Sequence, residues 1–196
     1  WISVHHIAQM LIFFLIIIIL MKTKGLDFKI TKGDTTEGIK YVKKFTLYFF
    51  FYTLIASAII YLTGKFQPFQ YPLNLINVTG YLGFQLLLSG PSEELIFRAF
   101  AMTIFAIYIS GRIKQSQISK PNVLAAVVFA LAHVGISFVP FSLTYTTNQL
   151  LLSFGLGLVY GHCYERTNSI YYPMILHSIS NVLMVSATIV LTLLLL

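Results

Sequence analysis

The chain has 196 residues, of which 57% are hydrophobic and only 10% charged. A soluble domain usually carries about a quarter charged residues, so a soluble enzyme and a disordered tail are both excluded. The net charge of +7 does not point to nucleic acid, because the basic residues fall in short segments between uncharged runs, as membrane topology dictates.

Taken in chain order, the charges divide the sequence. Residues 1–21 contain no Asp, Glu, Lys or Arg and read as a first span. The chain begins at Trp1 without a charged leader or a small-residue cleavage site, so a trimmed start and no signal peptide are expected. Residues 22–44 are a Lys-rich polar connector, and 45–64 form a second uncharged span. Gly64, Lys65, Pro68 and Pro72 mark a turn. The stretch 66–111 is too long for one crossing, since about 20 residues cross the hydrocarbon core. Gly90-Pro91 is a natural break, because proline suits a helix start, which predicts spans at 73–89 and 92–111. A basic loop with Arg112, Lys114 and Lys120 follows. Residues 121–164 are uncharged and divide at Pro140 into spans near 122–139 and 145–162; a last span follows Pro173.

The expected fold class is therefore all-α, a polytopic transmembrane helical bundle of about seven spans, with an eighth if the start is trimmed. The expected organisation is 1–72 as N-terminal spans and basic connector, and 73–196 as the core. The Lys-rich connector should be cytoplasmic. With seven spans, parity then puts Arg112, Lys114 and Lys120 on the opposite side, against the same rule. Cys163 is the only cysteine, so no disulfide and no Cys-rich metal cluster is expected.

An ionisable side chain inside a span is costly and is a functional candidate by default. Glu93, Glu94 and Arg98 fall within six positions, and His133 and His177 lie in other uncharged spans. On a helix, Glu94 and Arg98 share a face and can pair. Glu93 points roughly 100° away from Glu94, so one Arg side chain does not hold both. That leaves Glu93 as a candidate general base. His177 and Asn181 share one face, as do Phe129 and His133. Two donors aimed from one face can stabilise an oxyanion.

Three motifs occur in order: Glu93-Glu94-Leu95-Ile96-Phe97-Arg98, Phe129-Ala130-Leu131-Ala132-His133 and His177-Ser178-Ile179-Ser180-Asn181. In this the chain resembles the CPBP, or Abi, family of intramembrane proteases. That family includes the CAAX-processing endopeptidases and the bacterial bacteriocin-processing or self-immunity proteins. The resemblance covers about residues 80–190. It implies an intramembrane endopeptidase without a covalent intermediate. Glu93 would activate water together with His133. His177 and Asn181 would form the oxyanion hole, and Glu94, Arg98 and Phe129 would support them. The partners implied are the lipid bilayer and a membrane-associated peptide or protein substrate, with no nucleic acid.

Other protease chemistries lack their residues: there is no His-Glu-x-x-His zinc motif, no pair of aspartates within a span and no Gly-x-Ser-x-Gly elbow. No cofactor is expected. Zinc held by Glu93, His133 and His177 is the open alternative, because two His and one carboxylate form a known catalytic set. A non-catalytic immunity or regulatory protein binding a peptide in the same cavity is the alternative function. A proton-coupled transporter would usually show repeated broken helices, and no repeat is evident. Richness in Ile, Phe, Tyr and Lys suggests an AT-rich bacterial genome, hence the bacterial cell membrane. Peptide pheromones, bacteriocin leaders or membrane regulators then suit the substrate role better than prenylated proteins.

Overall fold

The computed structural model describes residues 4–114 and 116–195. The expectation for Trp1 lies outside the described residues. The chain is 74% helical, which agrees with the all-α class apart from one short hairpin. The helices are α1 (Val4–Lys24), α2 (Thr35–Leu62), α3 (Leu75–Phe84), α4 (Gly90–Glu94), α5 (Thr103–Tyr108), α6 (Lys120–Leu131), α7 (Thr147–Thr167) and α8 (Tyr171–Leu195). Two strands, β1 (Gly135–Phe138) and β2 (Phe141–Thr144), form an antiparallel hairpin between α6 and α7. Helices α1, α2 and α8 are each long and apolar enough to cross a bilayer.

The predicted break at Gly90-Pro91 is absent. Helix α3, a π-helical segment (Gln85–Ser89), α4, a second π-helical segment (Leu95–Met102) and α5 follow one another without interruption. The physical reason is the wide turn just before the proline. A proline ring normally clashes with the carbonyl four residues back, here that of Leu87. The π segment opens the helix at that point and lets it continue. The expected spans at 73–89 and 92–111 are thus a single run. The span near 122–139 is also corrected: α6 ends at Leu131 and the chain turns into β1.

Merging these segments changes the topology. Asp34 N–H donates to the Thr167 carbonyl (2.7 Å) and Ile170 N–H to the Lys29 carbonyl (3.0 Å). The 25–34 connector and the 168–170 turn therefore lie at one end. Helix α6 starts at that same end, since Asn122 Nδ2 donates to the Leu158 carbonyl of α7 (3.0 Å). So the loop 109–119 is there too. At the opposite end, Phe69 N–H meets Thr192 Oγ1 near the end of α8 (2.9 Å). Of the 13 Lys and Arg residues, only Arg98, inside the bundle, and Lys65 lie away from the first end. The parity argument that separated Arg112, Lys114 and Lys120 from the Lys-rich connector is overturned.

Local chemistry explains the helix ends and contacts. Asp34 caps α2, its Oδ1 accepting from Glu37 N–H at 2.9 Å, which satisfies a donor the helix leaves unpaired. Helices α6 and α7 pack closely because small residues face each other. A side chain at Gly157 would come within 3.0 Å of Ala126 and 3.3 Å of the Arg98 guanidinium. Small residues four apart, such as Gly157 and Gly161, let membrane helices approach to backbone contact. One apolar core is built on Ile17, Phe28, Leu95, Ala99, Met102, Ala125, Tyr164 and Ile170, joining α1 and its connector to the run 75–108 and to α6–α8.

Candidate active site

The site is carried by α4, the turn after α6, the first half of α8 and the start of α1. The two adjacent glutamates meet different surroundings. Glu94 is fully buried. Its Oε1 accepts from Arg98 Nη1 at 2.9 Å and from His177 Nδ1 at 2.8 Å. Arg98, 1% exposed, also donates through Nη2 to the Gly157 carbonyl at 3.0 Å. Its guanidinium lies over the rings of Phe129 (4.5 Å) and Tyr160 (5.3 Å). The charge is therefore matched by a carboxylate, a carbonyl and two π faces, which is what keeps a buried arginine tolerable. The predicted Glu94–Arg98 pair is present, and Arg98 does not reach Glu93.

Glu93 is 20% exposed at its side chain and faces imidazoles instead. His6 Nε2 donates to its Oε1 at 3.3 Å, and His177 Nε2 lies 4.0 Å from its Oε2. His133 makes no direct hydrogen bond to Glu93; it meets the ring of Phe129 at 5.0 Å, the same ring that meets His177. His133 Nδ1–H donates to the Phe129 carbonyl at 2.9 Å. A carbonyl only accepts, so that nitrogen carries the proton, and Nε2 of the neutral ring keeps its lone pair.

His177 is fixed from three sides. Glu94 holds Nδ1, the Tyr160 ring stacks on it at 5.1 Å, and Phe129 meets it edge-on at 5.6 Å. Ser180 Oγ donates to the His177 carbonyl at 2.7 Å, so its single proton is used. Tyr160 therefore donates to Ser180 at 2.6 Å. Asn181, one helical turn beyond His177, donates through Nδ2 to Ser89 Oγ at 3.3 Å. That contact turns its amide toward α4. Gly90 makes the close crossing of α4 and α8 possible: a side chain there would meet the Ser178 backbone nitrogen at 3.0 Å.

The structure thus gathers Glu93, Glu94, Arg98, Phe129, His133, His177 and Asn181 into one cluster. Sequence reasoning missed His6, Tyr160 and Ser180. Nothing local marks Tyr160 or Ser180. His6 did carry a weak signal, as one of two adjacent histidines in the first uncharged span. Among the described residues, no three His, Cys, Asp or Glu side chains converge as a set that could hold a metal ion.

Buried carboxylates and imidazoles thus meet at the crossing of apolar helices. The family model described as type II CAAX prenyl endopeptidase Rce1-like matches residues 75–183, more than half of the chain, and the chain belongs to that family. It is therefore a member of a membrane-embedded protease family. No curated protein and no solved structure matches it.

Proposed function

We propose that the protein is an intramembrane endopeptidase that hydrolyses a peptide bond of a membrane-associated peptide by activating water directly. The observation that carries this reading is the division of labour between the glutamates. Glu94 is committed to Arg98 and His177, while Glu93 is partly exposed and meets the imidazoles of His6 and His177 but, among the described residues, no Lys or Arg.

Water held between Glu93 and the free Nε2 of His133 loses a proton to Glu93 as its oxygen attacks the scissile carbonyl. The same proton then passes to the departing amine. The developing oxyanion is met by Asn181 Nδ2–H and His177 Nε2–H. His177 already donates Nδ1–H to Glu94, so this role requires a proton on both ring nitrogens.

The chain crosses the membrane as six helical passes, with 75–108 as one of them. The basic end of the bundle faces the cytoplasm by the excess of Lys and Arg there. The 20 uncharged residues between Lys44 and Lys65 measure about 30 Å as a helix, the thickness of a hydrocarbon core. Phe45 opens that stretch and packs on Tyr160, which stacks on His177. The centre therefore lies within the hydrocarbon. Peptide pheromones, bacteriocin leaders and membrane regulators of a bacterial cell are the substrate class.

The test uses purified full-length protein in lipid nanodiscs and a lipid-anchored peptide, with products read by mass spectrometry. Cleavage is expected to persist after exhaustive chelation. Loss of cleavage with chelator, restored by stoichiometric zinc, would reassign Glu93, His133 and His177 as metal ligands.

A further inference from the structure

A groove of about 680 Å³ runs between α2 and α7. The two helices are antiparallel, and their contacts step down together from the basic end. Glu37 meets Arg166 at 3.6 Å, the Tyr41 hydroxyl is hydrogen-bonded to His162 Nδ1, and the Phe45 ring meets that of Tyr160 at 5.9 Å. Tyr160 is fully buried and stacks on His177 with its own ring. None of Glu93, His133, His177 and Asn181 lines the groove. It is therefore a feature apart from the catalytic cluster, with the Tyr160 ring between them.

The two ends of the groove differ in chemistry. Its mouth carries Lys40 and Lys44 beside Glu37. Glu37 accepts from Lys40 at 3.5 Å and faces Arg166 at 3.6 Å, so one acid is shared between two cations. Among the described residues, Lys44 has no ion-pair partner. Three cations against one carboxylate leave the mouth positive. Below it, α2 contributes Phe45, Tyr48, Phe49 and Tyr52, and the α7 wall is aliphatic. Tyr48 and Leu151 are exposed, so the groove opens outward from the bundle. Gly155 also lines it, and a Cβ built there would meet nothing within 4 Å.

The apolar part follows α2 from Phe45 to Tyr52, about 10 Å, inside the roughly 15 Å that one leaflet gives to the hydrocarbon core. A positive mouth over an apolar channel one leaflet deep complements an amphiphile with an anionic head. A second copy of the chain fits poorly. A two-fold pair in one membrane sets the same patch against itself at the same depth, which would bring Lys40 and Lys44 against their own copies. Like charges repel at that distance.

We propose that this groove is a binding site for one anionic phospholipid of the leaflet at the basic end of the bundle. The phosphate lies on Lys44 and Lys40. The Tyr48 hydroxyl, one helical turn further in, donates to a glycerol ester carbonyl, and an acyl chain fills the channel beside Gly155. Lipid tails are as apolar as the groove walls, so the chain gains packing and no hydrophobic driving force. The headgroup charge therefore decides which lipid is held. The site stands whatever the chemistry at Glu93.

The experiment uses the full chain in phosphatidylcholine nanodiscs. The probes are phosphatidylglycerol and phosphatidylcholine, each with a photoreactive diazirine midway along one acyl chain, and the labelled peptides are located by mass spectrometry. Phosphatidylglycerol is expected to label 45–52 and 151–159 about thirtyfold more than phosphatidylcholine, since each basic side chain favours an anionic head about fivefold. Lys40→Gln combined with Lys44→Gln should bring the two lipids to within about twofold of each other. Gly155→Leu fills the channel, so label on both segments should be lost while the melting temperature holds. If Gly155→Leu unfolds the protein, the two exposed lysines still decide the matter. Equal labelling by the two lipids, or a preference that survives the lysine substitutions, overturns the proposal. So does phosphatidylglycerol label spread over α1 and α8 as heavily as over the groove. Ready disulfide pairing between two Tyr48→Cys chains would assign the groove to a second copy instead.

Discussion

Glu93 and Glu94 are neighbours in sequence and differ in almost everything else. Glu94 sits among Arg98, His177 and the aromatic rings of Phe129 and Tyr160, sealed from solvent. Glu93, one residue earlier, points about 100° around the helix toward His6, His177 and the partly exposed side of the cluster. The helix turn alone therefore makes one carboxylate a scaffold and the other a reagent. A buried charge held by an arginine and an imidazole is tied to its partners, while a partly exposed carboxylate among imidazoles is open to exchange protons.

The largest expected effect tests the scaffold side. Arg98→Ala strands the Glu94 carboxylate in the bundle, which should cost about 3–5 kcal/mol. Folded yield and melting temperature in detergent should both fall sharply, and wild-type melting would contradict the division. On the reagent side, Asn181→Ala should lower turnover by about 10²–10³. Its one polar contact among the described residues, to the Ser89 hydroxyl, is long at 3.3 Å, so melting should change little. A large loss of stability with turnover per folded molecule unchanged would make Asn181 a helix bridge. The smallest effect concerns the support of His177. Tyr160→Phe keeps the ring stack and removes the donor to Ser180, which should cost about 1–2 kcal/mol of stability. Turnover should fall only a few-fold, and a loss as deep as that of Asn181→Ala would mean the hydroxyl takes part in the chemistry.

The site was legible in the sequence to an unusual degree for a physical reason. Charge and histidine are so costly in an apolar helix that Glu93, Glu94, Arg98, His133 and His177 stand out against an uncharged background. The four-residue spacings then carry over into real contacts, as Glu94–Arg98 shows. The architecture was less legible. Whether Pro91 starts a helix or rides on a widened turn depends on the backbone register at 85–89, and hydropathy does not report that. The hairpin at 135–144 lies within a stretch that is uncharged from 121 to 164, where a strand and a helix look alike by composition. The alternation of Ile136, Phe138 and Leu143 with Gly135, Ser137, Ser142 and Thr144 is its only trace. His6 meets Glu93 across 87 residues of chain, a distance over which local periodicity says nothing.

The most direct test of the division between the two glutamates is a matched pair of substitutions, Glu93→Gln and Glu94→Gln, each read for melting temperature and for cleavage per folded molecule. Both keep the size of the side chain and remove one negative charge. Glu93→Gln should melt like the wild type and show no cleavage, because an amide is too weak a base to take a proton from water. Glu94→Gln should lose about 3–5 kcal/mol of stability, because Arg98 is left buried without its counter-charge. A Glu93→Gln protein that still cleaves, or a Glu94→Gln protein that folds normally and alone loses activity, would reverse the roles assigned to the two carboxylates.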